Sequence, residues 1–398
     1  MRVATSSAYD NAVDTLQKRQ RELAELQMKL TSGKRVERAS DDPAAAARVE
    51  RALATVGNLD ADQRALSAGQ NAMTLAESAL GNAGELLQQT REALVAAGNA
   101  SYSAGERKAL VQQLQQLRGQ LLAVANSTDG SGTYLFGGLS PDQPPFDAAG
   151  NPTAVDGTLR SGSADGMPLT VNGRRAFSQV MSGNGVFETA RAATNTGDAW
   201  IDAGRVDDPR LYDGQTTWSM TFTVAADGTT TYDITGSDGS VPVSGAAYQT
   251  GQPVVLAGAG LRFTVSGQPK DGDRFDVQPS TPDLSVFAVF DNAIAQLSDT
   301  SQTAGQRAQT VQTSLRDLDA AAGSLMALRS EVGQVLNRAD LATDRNGQMK
   351  VFAQGEQSQA QDLDMVEAIS EFTNKQTGYD AALKAYAAVQ KLSLFQYI

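Results

Sequence analysis

The side chains that could do chemistry are few, because two of the usual ones are missing. In 398 residues there is neither His nor Cys. That removes the common proton-transfer group near neutral pH, the commonest metal ligand, thiolate sites and disulfides. Carboxylate and hydroxyl chemistry remains. Asp271, Asp273 and Asp276 are spaced closely enough to suggest calcium, but the stretch lacks the helix-flanked loop pattern for that ion and reads as a turn beside a strand. Asp207 and Asp208 are a carboxylate pair of the type glycoside hydrolysis uses, yet neighbours in a turn do not define two sides of a sugar. Ser6-Ser7 and Ser40-Asp41-Asp42 bring hydroxyls and acids together without a base able to activate a nucleophile. Gly137-Gly138 runs into a proline-rich loop, not into a phosphate-cradling helix. The residues point to no catalytic group, no metal ligand and no cofactor.

Charge narrows the partners. Against 45 Asp and Glu there are 33 Lys and Arg, a formal charge of -12, which disfavours nucleic acid because phosphate binding needs clustered positive charge. Lys18, Arg19, Arg21, Lys34, Arg35 and Arg38 are interrupted by Glu22, Glu25 and Glu37, so they read as a solvated or interfacial helix face. Residues 141–280 carry 16 acidic and 9 basic side chains, the pattern of a solvated outer surface. No apolar run reaches the length of a membrane span. The opening Met1-Arg2-Val3-Ala4-Thr5-Ser6 lacks the features of a cleavable signal, so the expectation is a cytoplasmic protein or one exported without such a signal.

With chemistry set aside, the two ends organise the chain. Tyr9, Leu16, Leu23 and Leu30 recur every seven residues, with Leu26 between. Near the finish, Leu363, Val366, Ile369 and Phe372 lead into Tyr379, Leu383, Tyr386 and Val389. Steps of three and four put each set on a helix face, and a heptad is what a packed helix pair requires. Such stripes must bury against the opposite end, against copies of the same chain, or against an ordinary globular domain. In an isolated chain they gain little burial against the entropy of ordering them, so their pairing is expected to come from neighbouring subunits.

Between the ends the chain reads helical, then β, then helical. Gly33 closes the first helix, and Ser40-Asp41-Asp42-Pro43 is a helix start: an acid or hydroxyl accepts from free N–H groups while Pro43 fits the first turn. A long helix follows over residues 44–98 and another from Glu106. From about 141 to 280, alternating apolar residues and turn signals describe antiparallel strands: Trp218, Met220, Phe222 and Val224, then Leu261, Phe263 and Val265, then Phe275 and Val277. Leu169-Thr170-Val171 before Asn172-Gly173 predicts a hairpin. Val180 to Ala193 reads as a short helix or irregular chain. Helical periodicity resumes at Leu284, weakens at Gly305, and continues to the end, with Asp340 to Gly347 hinting at a break or an exposed part of the helix. The fold class expected is an elongated α-helical coiled-coil rod built from both termini, with an inserted antiparallel β-rich outer domain. A fifty-residue helix spans roughly 75 Å.

Leu23 to Leu30, then Ser32-Gly33-Lys34-Arg35-Val36 and Ser40-Asp41-Asp42-Pro43-Ala44, resemble the amino-terminal signature of bacterial flagellins and their hook–filament junction relatives. Gln376 to Ile398, with Tyr379, Leu383, Tyr386, Gln390 and Ser393-Leu394, is similar to the family's closing helix. Tyr134-Leu135-Phe136-Gly137-Gly138, Pro144-Pro145-Phe146, Gly272 to Val277 and Ser393 to Ile398 resemble the junction branch more than filament flagellin. The resemblance implies an inner coiled-coil domain (1–43 and 350–398), a helical rod domain (44–140 and 281–349) and an outer β-rich domain (141–280). It also implies a structural adaptor at the hook–filament junction of the extracellular flagellum, with no enzymatic activity. Implied with it are export through the flagellar type III apparatus, a homo-oligomeric helical layer, and three partners: the preceding hook-associated protein, flagellin and a cytoplasmic export chaperone. Neither nucleic acid nor membrane is among them. Filament flagellin is the alternative, and an exported effector or adhesin with a ligand-binding β domain is a further one.

Overall fold

Local chemistry sets where the terminal helices begin and stop. The computed structural model describes residues 2–99 and 102–395, with side chains described over 10–99 and 102–388. Helix α1 (Arg2–Ser32) ends at Gly33, whose φ of +70° suits a residue without a Cβ and whose N–H returns to the Lys29 carbonyl at 2.9 Å. Helix α2 (Pro43–Ala97) starts on Asp42, which accepts from the N–H of Ala44 at 3.1 Å and of Ala45 at 2.9 Å, while Pro43 takes the first position. Helix α3 (Ala104–Ala125) is opened by a reciprocal cap between Ser103 and Glu106. After the short α4 (Gly173–Phe177) come nine strands, then α5 (Val286–Ser298), α6 (Ala304–Gln361) and α7 (Met365–Phe395).

The chain divides into two compact units, residues 1–64 with 342–398, and residues 65–341. In the first, the turn after α1 is laced to the α6–α7 turn. Arg35 N–H donates to the Gln361 carbonyl at 2.7 Å, Leu363 N–H to the Gly33 carbonyl at 2.9 Å, and the Arg35 guanidinium to the Ala360 carbonyl at 2.9 Å. The buried side chains of this unit are mostly alanines (Ala45, Ala52, Ala342, Ala353, Ala360 and Ala368), joined by Leu26, Val36 and Val49. Small residues let helices approach closely, but they leave the bulky apolar ones outside.

The second unit has a conventional large-residue core. On α3, Val111, Leu114, Leu117 and Leu121 are buried, and α5 packs on this helix. Phe136, Phe146, Phe177 and Phe287 are fully buried and meet edge-on, tilted or stacked at 5.3 to 6.2 Å between ring centres. Each such burial contributes roughly 1.5–3 kcal/mol. Arg118 holds the Asp291 carboxylate with two bonds of 2.6 and 2.9 Å.

The strands are β1 (Phe187–Arg191), β2 (Trp200–Ile201), β3 (Arg205–Val206), β4 (Trp218–Val224), β5 (Thr230–Gly236), β6 (Val243–Ala247), β7 (Pro253–Leu256), β8 (Leu261–Ser266) and β9 (Arg274–Pro279). One antiparallel sheet has five strands in the order β1-β9-β4-β5-β6; in a second, β8 pairs with β2, β3 and β7. Alternate residues of β4, β8 and β9 enter one core, with Met220 opposite both Phe275 and Ile234. Two polar keys seat this β region on α6. Arg316, with 5% of its side chain exposed, donates to Asp317 at 2.7 Å, Glu188 at 3.1 Å and the Thr189 carbonyl at 2.8 Å. The Gln309 amide pairs with the backbone of Ile201 at 2.8 and 3.3 Å. Burial pushes the Asp317 carboxyl up against the opposing pull of Arg316.

Two expectations are corrected here, and a third is decided between its alternatives. Asn172-Gly173 forms no hairpin: Asn172 caps α4 by accepting from Arg174 and Arg175 N–H, and a Cβ on Gly173 would lie 2.5 Å from the Phe136 carbonyl. Val180 to Ala193 contains β1, which takes its register from β9 far along the chain. Of the two alternatives for Asp340 to Gly347, the structure has the exposed part of the helix and not the break: Asp340, Leu341, Asp344, Arg345 and Gly347 are exposed on a continuous α6, while Ala342 and Asn346 are buried and Asn346 donates to Asp62 at 2.6 Å.

Candidate functional site

The carboxylates that suggested chemistry are all engaged in structure. Asp273 is buried and accepts from the N–H groups of Thr196, Gly197 and Lys270 at 2.8 to 3.1 Å. Asp271 accepts from Val224 N–H, and Asp276 takes Ser219 Oγ and Arg274. Asp207 is paired with Arg205 and Arg262, Asp208 with Arg210. Among the described residues no group of three or more acidic, His or Cys side chains is placed to hold a metal. No described helix is long and apolar enough to cross a membrane.

The surface that stands out is built by α1 and α7, which pack on each other within one chain. Arg19 donates to the Gly378 carbonyl at 2.8 Å, and Lys375 lies 3.8 Å from Glu22. A Cβ on Gly378 would sit 2.9 Å from the Arg19 guanidinium, so the glycine permits this approach. The Lys375 ammonium is held above its usual range, chiefly by its hydrogen bond to Glu371. Pairing of the ends is therefore already present in the single chain, which corrects the expectation that it comes only from neighbours. The burial it achieves is slight. Over the described side chains of α1 only Leu26 is buried, and over those of α7 only Ala368.

The stripe residues divide between two faces. On α1, Leu16, Leu23 and Leu30 are half-buried beside Leu26, in line with Arg19 and Glu22. On α7 the half-buried positions Phe372, Lys375, Tyr379, Ala382 and Tyr386 follow Ala368 in alternating steps of four and three, a heptad facing α1. Leu363, just before α7, is half-buried as well. Val366, Ile369 and Leu383 are left out, 78%, 53% and 40% exposed. The cause is angular: steps of three fall about 60° short of a full turn each, so Val366 and Phe372 end about 120° apart. The side chains of Tyr9 and Val389 lie outside the described residues. Ser40, Asp41, Asp42 and Pro43 are at the joint between α1 and α2. There Asp41 accepts from Glu37 and Arg38 N–H at 3.1 and 2.9 Å. These donors, Arg38 first, hold the Asp41 carboxyl below the usual range; the Ala45 N–H and then Arg35 do the same for Asp42.

Further bulky apolar side chains are exposed in this unit. On α6, Met349, Val351 and Phe352 are exposed, Phe352 to 70%, and Leu53 of α2 and Met28 of α1 are exposed too. Val351 and Phe352 do not register as a stripe in the sequence, because the buried residues beside them, Ala353 and Ala360, are alanines.

Helices from both ends of the chain that leave bulky side chains exposed, with an antiparallel β insertion between them in sequence, define the fold class. Residues 3–140 match the bacterial flagellin N-terminal helical region, and residues 315–398 match the C-terminal one. The chain belongs to the bacterial flagellin family. Within it, the chain is similar to flagellar hook-associated protein 3. It is 32% identical to the one from Salmonella typhimurium over 189 residues, 46% of this chain and 58% of that protein. It is 23% identical to the one from Escherichia coli over 409 residues, 100% of this chain and 99% of that protein. The match thus spans little more than half of the Salmonella relative. The crystal structure of the flagellar junction protein FlgL from Legionella pneumophila aligns with a TM-score of 0.68 and 27% identity, over 79% of this chain and 100% of that one.

Proposed function

We propose that this chain is a structural adaptor without enzymatic activity, joining the flagellar hook to the flagellin filament. The observation that carries the proposal is the terminal helix pair, which folds within one chain yet leaves Val366, Ile369 and Leu383 in solvent. Those side chains have a use only where neighbours cover them. The similarity to hook-associated protein 3 along the whole chain supports the junction over the filament. In this reading Tyr9, Leu16, Leu23, Leu26, Leu30, Leu363, Val366, Ile369, Phe372, Tyr379, Leu383, Tyr386 and Val389 make up the assembly interface, some within the subunit and some between subunits. Residues 1–43 and 350–398 form the inner domain, 44–140 and 281–349 the helical rod, and 141–280 the outer domain. The partners are further copies in a helical layer, the preceding hook-associated protein, flagellin, and an export chaperone in the cytoplasm. The route out of the cell is the flagellar type III apparatus without signal cleavage.

Deletion of the gene, followed by electron microscopy of the cell surface, tests the proposal. The expected result is bare hooks with flagellin secreted unattached into the medium. Full filaments on normal hooks would remove the junction reading, and intact secretion with no flagellin at all would assign the chain to the filament.

A further inference from the structure

In the unit formed by residues 1–64 and 342–398 the helices break side by side, α1 into α2 through residues 33–42 and α6 into α7 through residues 362–364. The two turns are stitched by their backbones. Leu363 N–H donates to the Gly33 carbonyl at 2.9 Å, Arg35 N–H donates to the Gln361 carbonyl at 2.7 Å, and Lys34 faces Asp362 in an antiparallel bridge. With α1 packed on α7 beyond them, the stitched turns make the terminal pair a single arm. A helix leaves its last carbonyls without partners in its own ladder. On α6 the last two, of Ala360 and Gln361, are both taken by Arg35. Its guanidinium Nη2 donates to the first at 2.9 Å, and its N–H to the second, joined by Val36 N–H at 3.4 Å. A cation suits that end of a helix. The other side of the same guanidinium, Nη1, donates to Asp42 Oδ2 at 3.2 Å, while Asp42 Oδ1 caps α2.

An ion pair as exposed as Arg35–Asp42 contributes little to stability by itself. Its weight is geometric. From the stitched turns, the side chain of Arg35 reaches both the end of α6 and the start of α2. A planar guanidinium holds two acceptors in fixed directions, which an ammonium on a flexible stem does not. The exposed side chains of Val366 and Ile369 lie on the arm, within two turns of the stitch. We infer that Arg35 is a positioning residue: it pins the arm to the α2/α6 pair and so sets the direction in which the arm presents Val366 and Ile369 to a neighbour. The inference rests on the assembly reading above only for what the arm meets; the pin itself belongs to the single chain.

Two substitutions in the full-length chain cut the pin at different atoms. Arg35→Met keeps an unbranched stem and removes the donors. Asp42→Asn keeps a good N-cap on α2 and puts an amide donor where Arg35 had its acceptor. Because the chain has no Cys, spin labels on Gln348→Cys in α6 and Ser370→Cys in α7, both exposed positions, report the arm's direction by double electron–electron resonance. The native background should give one narrow distance distribution. Each single variant should widen it about twofold or more with the helical circular dichroism retained, and the double variant should widen it no further than Arg35→Met, because both changes break one shared contact. A distribution as narrow as the native one in either single variant overturns the inference. So does loss of helix in Asp42→Asn, which would make Asp42 a cap and not part of a pin; should Arg35→Met lose helix, Asp42→Asn decides alone. The same variants without the added cysteines are offered to purified hooks, where a loosened arm should reduce addition. Native-like addition by a variant with widened distances overturns the positioning role. Failure of the native chain to add removes the junction reading and leaves the pin to be judged by the distances.

Discussion

Replacing Val366 and Ile369 together with Ser separates assembly from folding. Complete burial of a Val or Ile side chain is worth roughly 1.5–3 kcal/mol relative to exposure. Val366 is 78% and Ile369 53% exposed in the single chain, and those fractions are what a neighbour can cover. Scaling by them gives roughly 2–4 kcal/mol for the pair, or a loss of about 30- to 700-fold in the association constant of each contact. Serine has nearly the helix propensity of Val and Ile and adds no charge. By the same scaling, the parts already covered in the single chain, about a fifth of Val366 and half of Ile369, limit the change in the folded monomer to roughly 1–2 kcal/mol for the pair. Sedimentation velocity over a concentration series gives the association constant, and a melting curve at the lowest concentration gives the monomer's stability. Association within threefold of native would refute the reasoning. So would a large drop in monomer stability, because it would mean these residues support the fold.

Four further outcomes follow from the geometry. Arg316→Ala leaves Glu188 and Asp317 without their cation and should cost about 3–5 kcal/mol, read by calorimetry, whereas replacing all three with apolar residues should cost far less. Gly305→Ala places a Cβ 1.9 Å from the Asp198 carbonyl and should destabilise the β region's seat on α6 by about 1–3 kcal/mol, read as a lower melting temperature; an unchanged melt would contradict that packing. Asp41 and Asp42 have folded pKa values below their unfolded ones. Their contribution is complete above about pH 3.9 and is lost as pH falls through the folded values. Amide NMR signals of Arg38 and Ala45 should therefore titrate with midpoints under 3.9. Lys375 is shifted upward, so its contribution is complete below about pH 10.4 and lost as pH rises beyond it; the melting temperature of the native chain should fall towards that of a Lys375→Met variant only there.

Much of the helical framework was legible because caps and periodicity act locally. Gly33, Asp42-Pro43 and Ser103-Glu106 each satisfy or release backbone groups within a turn of themselves. The strands around Trp218, Leu261 and Phe275 were legible for the same reason, since alternation is a property of neighbours. Errors arose where a distant group decides. Asn172 can open a turn or cap a helix, and the Phe136 backbone, pressed against Gly173, selects the cap. Phe187-Glu188-Thr189-Ala190-Arg191 becomes a strand because β9 offers it an edge. Around Asn346 the apolar stripe fades, yet the helix persists, because Asp62 satisfies the buried amide. The terminal stripes were found as residues but not resolved into faces. Only the three-dimensional pairing shows that Phe372, Tyr379 and Tyr386 line up with the face turned to α1 while Val366, Ile369 and Leu383 stand away from it. Phe352 went unseen because the buried residues beside it are alanines, which periodicity of large residues does not register.

Counting the copies that the purified chain adds to isolated hooks tests the adaptor claim most directly. Electron microscopy of hooks incubated with excess chain should show a short layer that stops growing, onto which flagellin then elongates. Continued growth into long filaments of this chain alone, or hooks that remain bare, would contradict it.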